Sequence, residues 1–557
     1  MPYSSTKTDI VNVTVTSGGT EMPLGYGLLS VDVIQDINRI SYASLTLTDG
    51  DFASKEYRIS DSDFFDPGNS ITITINYSGE SSGKRAVFTG IIIKYSLKKT
   101  ISGCILSVDI SDAAVKMTTQ RKSSIFNKIT DSDLIGTLIG SYKGVSAGAI
   151  TTTAAIHERI VQYYTSDWDM LLSRAEVNGL LVAAVNGVVS AVKPSFGAAA
   201  MSFEIGKDTV YDFDLQADAR HQYAAVTTRT WDLDTQQISE LTSDTRFTLK
   251  QGVLKSSNLA AAMGNSDDRM VSVIPVNAQE ASAWADARMV KTRLSMLKGS
   301  FSVAGVGGLK LGDNIELKGA GNKFSGENIV TGLKHHISGG NWVTTIQFGL
   351  SADWFSSAVK LTDTKAAGLL PGINGLQVGI VETSNGDPEN QSRVKVRMPA
   401  MDNNENAIWA RLTTLDGGYN RGIFFWPEPG DEVILGFIND DPRNPVILGS
   451  VYGPKNQPVV AQTEANGQKG IVTKSGMKLL FDDENKTLRI QTSDNNKILI
   501  DEDSKQIEMN DANGNSLTLS NAGIVMKSAK NVMIKAQGDI DIQGKGIKIK
   551  GSTIDLI

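Results

Sequence analysis

The chain has 557 residues, with 54 Lys and Arg against 61 Asp and Glu and a formal net charge of −7. That balance excludes an overall pull toward nucleic acid or an anionic membrane, and a single cysteine, Cys104, excludes an intrachain disulfide or a thiolate metal cluster. No apolar run approaches the roughly 18 residues of a membrane span, and the opening MPYSSTKTDIVNVTV has no basic stretch followed by an apolar one, so no Sec-type signal peptide is predicted and synthesis in the cytoplasm is expected.

With 53 glycines, only 14 prolines and many Thr, Val, Ile and Ser, the text reads as mainly β with tight turns. Residues 1–115 alternate with period two, as in Ile71-Thr72-Ile73-Thr74-Ile75 and Ser107-Val108-Asp109-Ile110, with turn signals such as Asp49-Gly50. This predicts a first β-barrel or sandwich. Residues 116–215 are mixed α/β. A short helix is predicted over Asp131 to Tyr142, and a better one follows Ser166 as N-cap, with Asp167 and Asp169 in its first turn. Asn178-Gly179 ends it, and Asn186-Gly187 is a hairpin turn. Residues 216–360 return to β around one helix. Asn277 caps that helix with Glu280 three residues on, and Ala283, Ala287, Val290, Leu294 and Leu297 fall at helical spacing. A linker at 361–374, a compact β module at 375–453 and a polar neck at 454–476 follow.

The last segment, 477–557, repeats one short unit: two apolar residues flanking a third, then polar turn residues. The pairs are Leu479/Phe481, Leu488/Ile490, Ile498/Ile500, Ile507/Met509, Leu517/Leu519, Ile524/Met526, Val532/Ile534, Ile540/Ile542, Ile547/Ile549 and Ile554/Leu556. Such a period marks a solenoid or β-helix. Two architectures fit, a single-chain three-sided prism and a triple-stranded helix of three interleaved chains. Interleaving is favoured because it gives every strand edge a neighbour and shares one dry core. Ten strands stacked at about 4.8 Å would make a needle about 50 Å long. Its core residues would include Leu488, Ile490, Ile498, Ile500, Leu517, Leu519, Ile540, Ile542, Ile547 and Ile549. Ile554, Asp555, Leu556 and Ile557 would form a flat apolar platform for a separate small tip protein.

Sites of chemistry are sparse. The four histidines, His157, His221, His335 and His336, show neither HExxH nor Cys/His zinc spacing, and His335-His336 in a strand point to opposite faces. Neither a G-x-S-x-G elbow nor a Walker A loop occurs. Asp440-Asp441 with Glu428 and Asp431 could be an acidic catalytic cluster, but Asp440-Asp441-Pro442 and Pro429-Gly430-Asp431 are better read as turns, and Asp387 after Asn385-Gly386 likewise. No catalytic, cofactor or metal residue is assigned.

Several segments together resemble VgrG-type spikes, in which a phage-tail hub and central spike are fused. Residues Gln162-Tyr163-Tyr164-Thr165-Ser166-Asp167-Trp168-Asp169 to Asn178-Gly179 are similar to that family's central helix motif. Gly308-Leu309-Lys310-Leu311-Gly312-Asp313, Phe324-Ser325-Gly326 and His335-His336 resemble its second hub barrel. Gly379-Ile380-Val381-Glu382, Arg393-Val394-Lys395-Val396, Trp409-Ala410-Arg411, Phe424-Phe425-Trp426-Pro427-Glu428-Pro429-Gly430-Asp431-Glu432-Val433 and the string from Gly436 to Tyr452 resemble its OB-fold.

The resemblance implies two hub β-barrels with an inserted α/β segment, an OB-fold and a triple-stranded β-helix formed by a homotrimer, acting as a structural spike rather than an enzyme. It implies a PAAR-type tip protein, a hexameric inner tube, baseplate proteins and a cargo or effector as partners, and a target membrane pierced only mechanically. The neck has no room for a lysozyme domain, and the modest length favours an extracellular contractile injection system or phage-tail-like particle, made in the bacterial cytoplasm, over a type VI secretion spike. OB-folds often bind nucleic acid. Here the basic residues Arg393, Lys395, Arg397, Arg411 and Arg421 are balanced by acids, and Phe424, Phe425 and Trp426 should alternate across the sheet with at least one in the core, so nucleic acid is not expected. The runner-up is a β-helix carbohydrate-active enzyme, a lyase or tailspike-like depolymerase.

Overall fold

The structure, a computed structural model, describes residues 10–51, 55–79, 85–101, 103–243, 245, 247–359, 361, 364–401 and 407–555. It divides into two compact units, Met1–Asp363 and Thr364–Ile557.

In the first unit the period-two text becomes strands with one face inward. Ser70–Tyr77 buries Ile71, Ile73, Ile75 and Tyr77 and leaves the Thr and Asn between them half-buried. The strands pair in one path from Val210–Ala217, Leu297–Ala304, Asn341–Phe348 and Gly326–Ser338 to Gly27–Asp36, Tyr42–Thr48, Gly103–Ser111, Ala86–Thr100, Ser70–Tyr77 and Val11–Ser17. The sequence suggests two barrels; the structure joins their strands in one 13-stranded sheet serving two cores. One core gathers Val31, Leu45, Ile73, Phe88 and Leu106, the other Phe203, Phe301, Val303, Ile315 and Ile346. The join is the antiparallel pair Gly326–Ser338 with Gly27–Asp36, where His335 lies opposite Val33.

The mixed segment packs helices on short strands. Thr130 caps the helix Asp131–Gly140, its Oγ1 accepting from the Asp133 N–H at 3.2 Å, and the helix stops two residues before Tyr142. Ser166 Oγ accepts from the Asp169 N–H at 3.1 Å to start Asp167–Val177. Gly179 ends that helix at φ +67°, and a Cβ there would sit 3.2 Å from Ala287 Cα, so both backbone conformation and space require glycine. Asn186 and Gly187, at φ 56° and 76°, make the tight turn between Leu181–Val185 and Val188–Val192.

Asn277 Oδ1 accepts from the Glu280 N–H at 2.8 Å and starts the helix Ala278–Leu294. Its buried stripe differs from the expected one. Ala281, Ala285, Ala287, Met289, Thr292 and Leu294 are buried, whereas Ala283 and Val290 are half-buried and Leu297 already opens the next strand. The cause is packing: the helix lays Ala285 and Met289 against Val226 of the strand Ala225–Asp232.

The second unit opens with a closed five-stranded barrel of Gln377–Thr383, Arg393–Arg397, Ala407–Leu412, Pro445–Ser450 and Glu432–Phe437. Val381, Val394, Val396, Met398, Ala410, Val433, Leu435 and Ile447 fill it. The expectation that Phe424, Phe425 or Trp426 sits in this core is wrong: they are 77%, 60% and 44% exposed. They lie in an irregular segment between two barrel strands, and the barrel core is complete without them.

Candidate functional site

The repeat folds as an antiparallel meander. Seven five-residue strands, Gln468–Val472, Lys478–Asp482, Thr487–Gln491, Lys497–Asp501, Gln506–Asn510, Ser516–Ser520 and Gly523–Lys527, each pair with the next. The first lies within the stretch read as a neck. The turns use local chemistry. Asp482 and Asp501 each accept from the backbone N–H three residues on, and Lys486, Asn495 and Lys505 take positive φ. Those backbone bonds hold the Asp482 and Asp501 carboxyls below the ordinary carboxylate range, and side-chain and backbone bonds from Asn515 do the same for Asp511.

Register decides which side each residue takes. Leu479 faces Ile490, Leu488 faces Ile500, Ile490 faces Ile498, Ile498 faces Met509, and Ile507 faces Leu519. With Ile471, Phe481, Leu517, Ile524 and Met526, one face is apolar from the second strand on, Lys469 of the first strand standing opposite Phe481 at its edge. The other carries mostly polar residues, and Lys497 pairs with Glu508 there at 3.3 Å. Nothing in the described chain covers the apolar face: Ile490, Met509 and Met526 remain 48%, 44% and 62% exposed.

Six of the ten expected core residues therefore share this face: Leu488, Ile490, Ile498, Ile500, Leu517 and Leu519. The other four, Ile540, Ile542, Ile547 and Ile549, lie beyond Lys527, where no strand is formed among the described residues, and all four are exposed. Interleaving of chains does not describe 468–527, because every ladder there is made within the chain. Of the expected platform, Ile554 and Asp555 are exposed, and Leu556 and Ile557 lie outside the described residues.

The carboxylates weighed as a catalytic cluster are tied into separate local contacts. Asp441 Oδ2 takes Arg443 Nη2 at 2.6 Å, and that guanidinium lowers its pKa to about 2. Asp431 accepts from the Glu428 N–H at 2.9 Å, and Glu428 meets Lys474 at 2.8 Å. Arg393 holds Asp387 well below the ordinary range. His335 and His336 do point apart: His335 is buried, and His336 Nδ1 lies 2.9 Å from Asp32 Oδ1.

One cluster escaped the sequence reading. Arg174 reaches Asp131 at 2.6 Å and Glu280 at 2.7 Å, His157 Nε2 lies 3.1 Å from Asp131, and Asn178 donates to Asp131 at 2.8 Å. Burial works to raise the Asp131 carboxyl, but the Arg174 and Asn178 bonds and the His157 charge keep it below its ordinary value. The Glu280 side chain points here rather than back along its own helix as a capping box would have it. No local spacing signals a cluster whose members come from separate elements, with Glu280 more than a hundred positions from Arg174.

The family described as "Alg8 N-terminal domain" matches residues 7–339, and the "Type VI secretion system/phage-baseplate injector OB domain" matches 377–452. Type VI secretion system spike protein VgrG1b of Pseudomonas aeruginosa is 33% identical over 116 residues, 20% of this chain and 15% of that protein. The chain spans less than a fifth of the length of the curated relatives it matches. Among solved structures, the 43 kDa tail protein of prophage MuSo2 from Shewanella oneidensis aligns at TM-score 0.47 and 14% identity, covering 61% of this chain and 98% of that one. The E. coli c3393 protein, a type VI secretion component, aligns at TM-score 0.40 and 11% identity, covering 78% and 99%. The first of these families covers more than half of the sequence, so the chain belongs to the Alg8 N-terminal domain family; behind that domain it carries the injector OB domain and is similar to VgrG-type spike proteins.

Proposed function

We propose that this chain is the central spike and hub of a contractile injection machine, an extracellular contractile injection system or phage-tail-like particle, and works mechanically rather than catalytically. The observation that carries this reading is the meander's uncovered apolar face. A sheet with one such face is not stable in water alone and needs a second apolar layer. Three copies, the number the family resemblance implies, would turn three such faces inward around one axis. The residues beyond Lys527 would then wind as a triple-stranded β-helix, because their polar backbone groups need ladder partners from other copies.

In this reading residues 1–360 form the hub that meets a hexameric inner tube and baseplate proteins, 361–374 the linker, 375–453 the OB-fold, 454–476 the neck and 477–557 the needle. Ile554, Asp555, Leu556 and Ile557 seat a PAAR-type tip protein, and a cargo or effector rides with the particle. The chain is made in the bacterial cytoplasm and leaves in the assembled particle. Sheath contraction loads the needle along its axis, where slow unfolding matters more than equilibrium stability. The paired carboxylates at Asp387 and Asp441, each held by an arginine, lend nothing to the carbohydrate-enzyme alternative. The test is the mass of the purified full chain by light scattering. Three chains per particle are expected; a monodisperse monomer or a dimer overturns the reading.

A further inference from the structure

The hairpin formed by Leu181–Val185 and Val188–Val192 has two apolar faces. Val182, Ala184, Val189 and Ala191 fill the core shared with the helices. Leu181, Ala183, Val185, Val188 and Val192 look the other way, across a gap to Val33, Ile37 and Phe88 of the hub sheet. The hairpin is fixed at both ends of that gap. Asn38 Oδ1 accepts from the Val182 N–H at 3.0 Å and the Ser41 hydroxyl donates to the Ala184 carbonyl at 2.6 Å. At the turn, Asn186 Oδ1 accepts from the Thr89 N–H at 2.8 Å. The gap is a cavity of about 980 Å³, at the upper end of the range of small-molecule sites.

Its floor holds two polar side chains that the fold does not satisfy. Trp342 Nε1–H, which only donates, is directed at His335 Nδ1 at 3.3 Å, and the Thr344 hydroxyl lies 3.0 Å from the same atom. Nδ1 is therefore the acceptor and the ring proton sits on Nε2. That N–H meets no acceptor among the described residues, although His335 is 96% buried, being 4% exposed. Gln35, 7% exposed, lines the same floor two residues along from Val33, the residue opposite His335, and its amide likewise has no partner among the described residues. Both groups open onto the cavity, so together they offer a ligand two hydrogen-bond donors on an otherwise largely apolar floor. Arg85, Lys193 and Lys310 stand exposed at the rim, and among the described residues no carboxylate lines the cavity.

We propose that this cavity binds a small anionic amphiphile of the fatty-acid class. Its carboxylate meets Arg85, Lys193 and Lys310, its chain fills the apolar walls, and an oxygen on the chain accepts from His335 Nε2–H and the Gln35 amide.

The test is calorimetric titration of the full-length protein with 12-hydroxydodecanoate, dodecanoate and 1,12-dodecanediol. Saturable binding is expected for both carboxylates, about five- to tenfold tighter for the hydroxylated one (a hydrogen-bond-sized difference). The exposed-rim double variant R85E/K310E should weaken both carboxylates at least about tenfold and leave the diol unchanged. His335→Phe should remove the advantage of the hydroxyl while dodecanoate still binds. Absence of saturable binding by either carboxylate, or binding indifferent to rim charge reversal, overturns the proposal.

Discussion

The first unit and the meander of the second solve the same problem in opposite ways. The first unit, the proposed hub, finishes its cores within one chain: Phe203, Phe301, Leu45 and Ile73 are fully buried, and even its charged cluster is closed, Arg174 answering both Asp131 and Glu280. The proposed needle, residues 477–557, has strands as regular as any in the first unit, yet its apolar face stays open and its last described residues have no ladder. Identical period-two text thus supports a self-sufficient fold or a shared one. The difference is whether the chain supplies a second apolar layer. In the hub one does, through the helix Ala278–Leu294 and the opposing strands; the meander has only itself.

A charge in the needle face separates the two cases most sharply. Ile498→Asp would bury one carboxylate per copy at the centre of the assembly, a cost on the order of several kcal/mol each. Light scattering should move from three chains to one, while the hub keeps its circular dichroism and its own unfolding transition. Retention of the wild-type mass would break the comparison.

In the hub, Arg174→Met leaves the buried Asp131 and the half-buried Glu280 without their cation. A loss of about 3–5 kcal/mol is expected in hub unfolding by denaturant, with no change in the oligomer's mass. A pH series should show the same cluster from the other side. The folded Asp131 carboxyl sits below its unfolded value, so its contribution is present above an ordinary carboxylate pKa and is lost as pH falls through the depressed folded value, below 3.8.

His335 acts at higher pH. Burial lowers its pKa to about 4, so below 6.5 the unfolded chain takes a proton that the folded chain refuses. Hub stability should therefore fall between pH 6.5 and 4, by about 1.4 kcal/mol per unit at most, and His335→Phe should flatten that slope. The smallest effect is expected at a helix start. Ser166→Ala removes the cap of Asp167–Val177 and should cost about 1 kcal/mol in hub unfolding, with the needle unaffected.

Much of this was legible in the sequence, where the signal is local. The alternation of Ile71-Thr72-Ile73 named a half-buried strand, Ser166 and Asn277 named helix starts, Asn186-Gly187 named a hairpin, and the paired apolar residues from Leu479 to Met526 named one face. What was not legible depends on distant partners. Phe424, Phe425 and Trp426 look like core residues until the barrel is seen to close without them. The stripe on Ala278–Leu294 shifted because Val226 set which side faces inward. The cluster at Arg174 draws on residues from four separate elements. Gln35 could have been noticed, since it occupies an inward position in the run Val31, Val33, Gln35, Ile37, where alternation calls for an apolar side chain.

The central claim is that other copies complete the needle, and the most direct measurement is amide hydrogen exchange on the full-length protein over residues 528–555. Within one chain these amides have no strand ladder among the described residues. The account predicts protection there as strong as in the buried hub strands Ser70–Tyr77 and Leu297–Ala304, because other copies provide the acceptors. Exchange of 528–555 at the rate of an unstructured peptide, in a sample whose hub strands are protected, would contradict it.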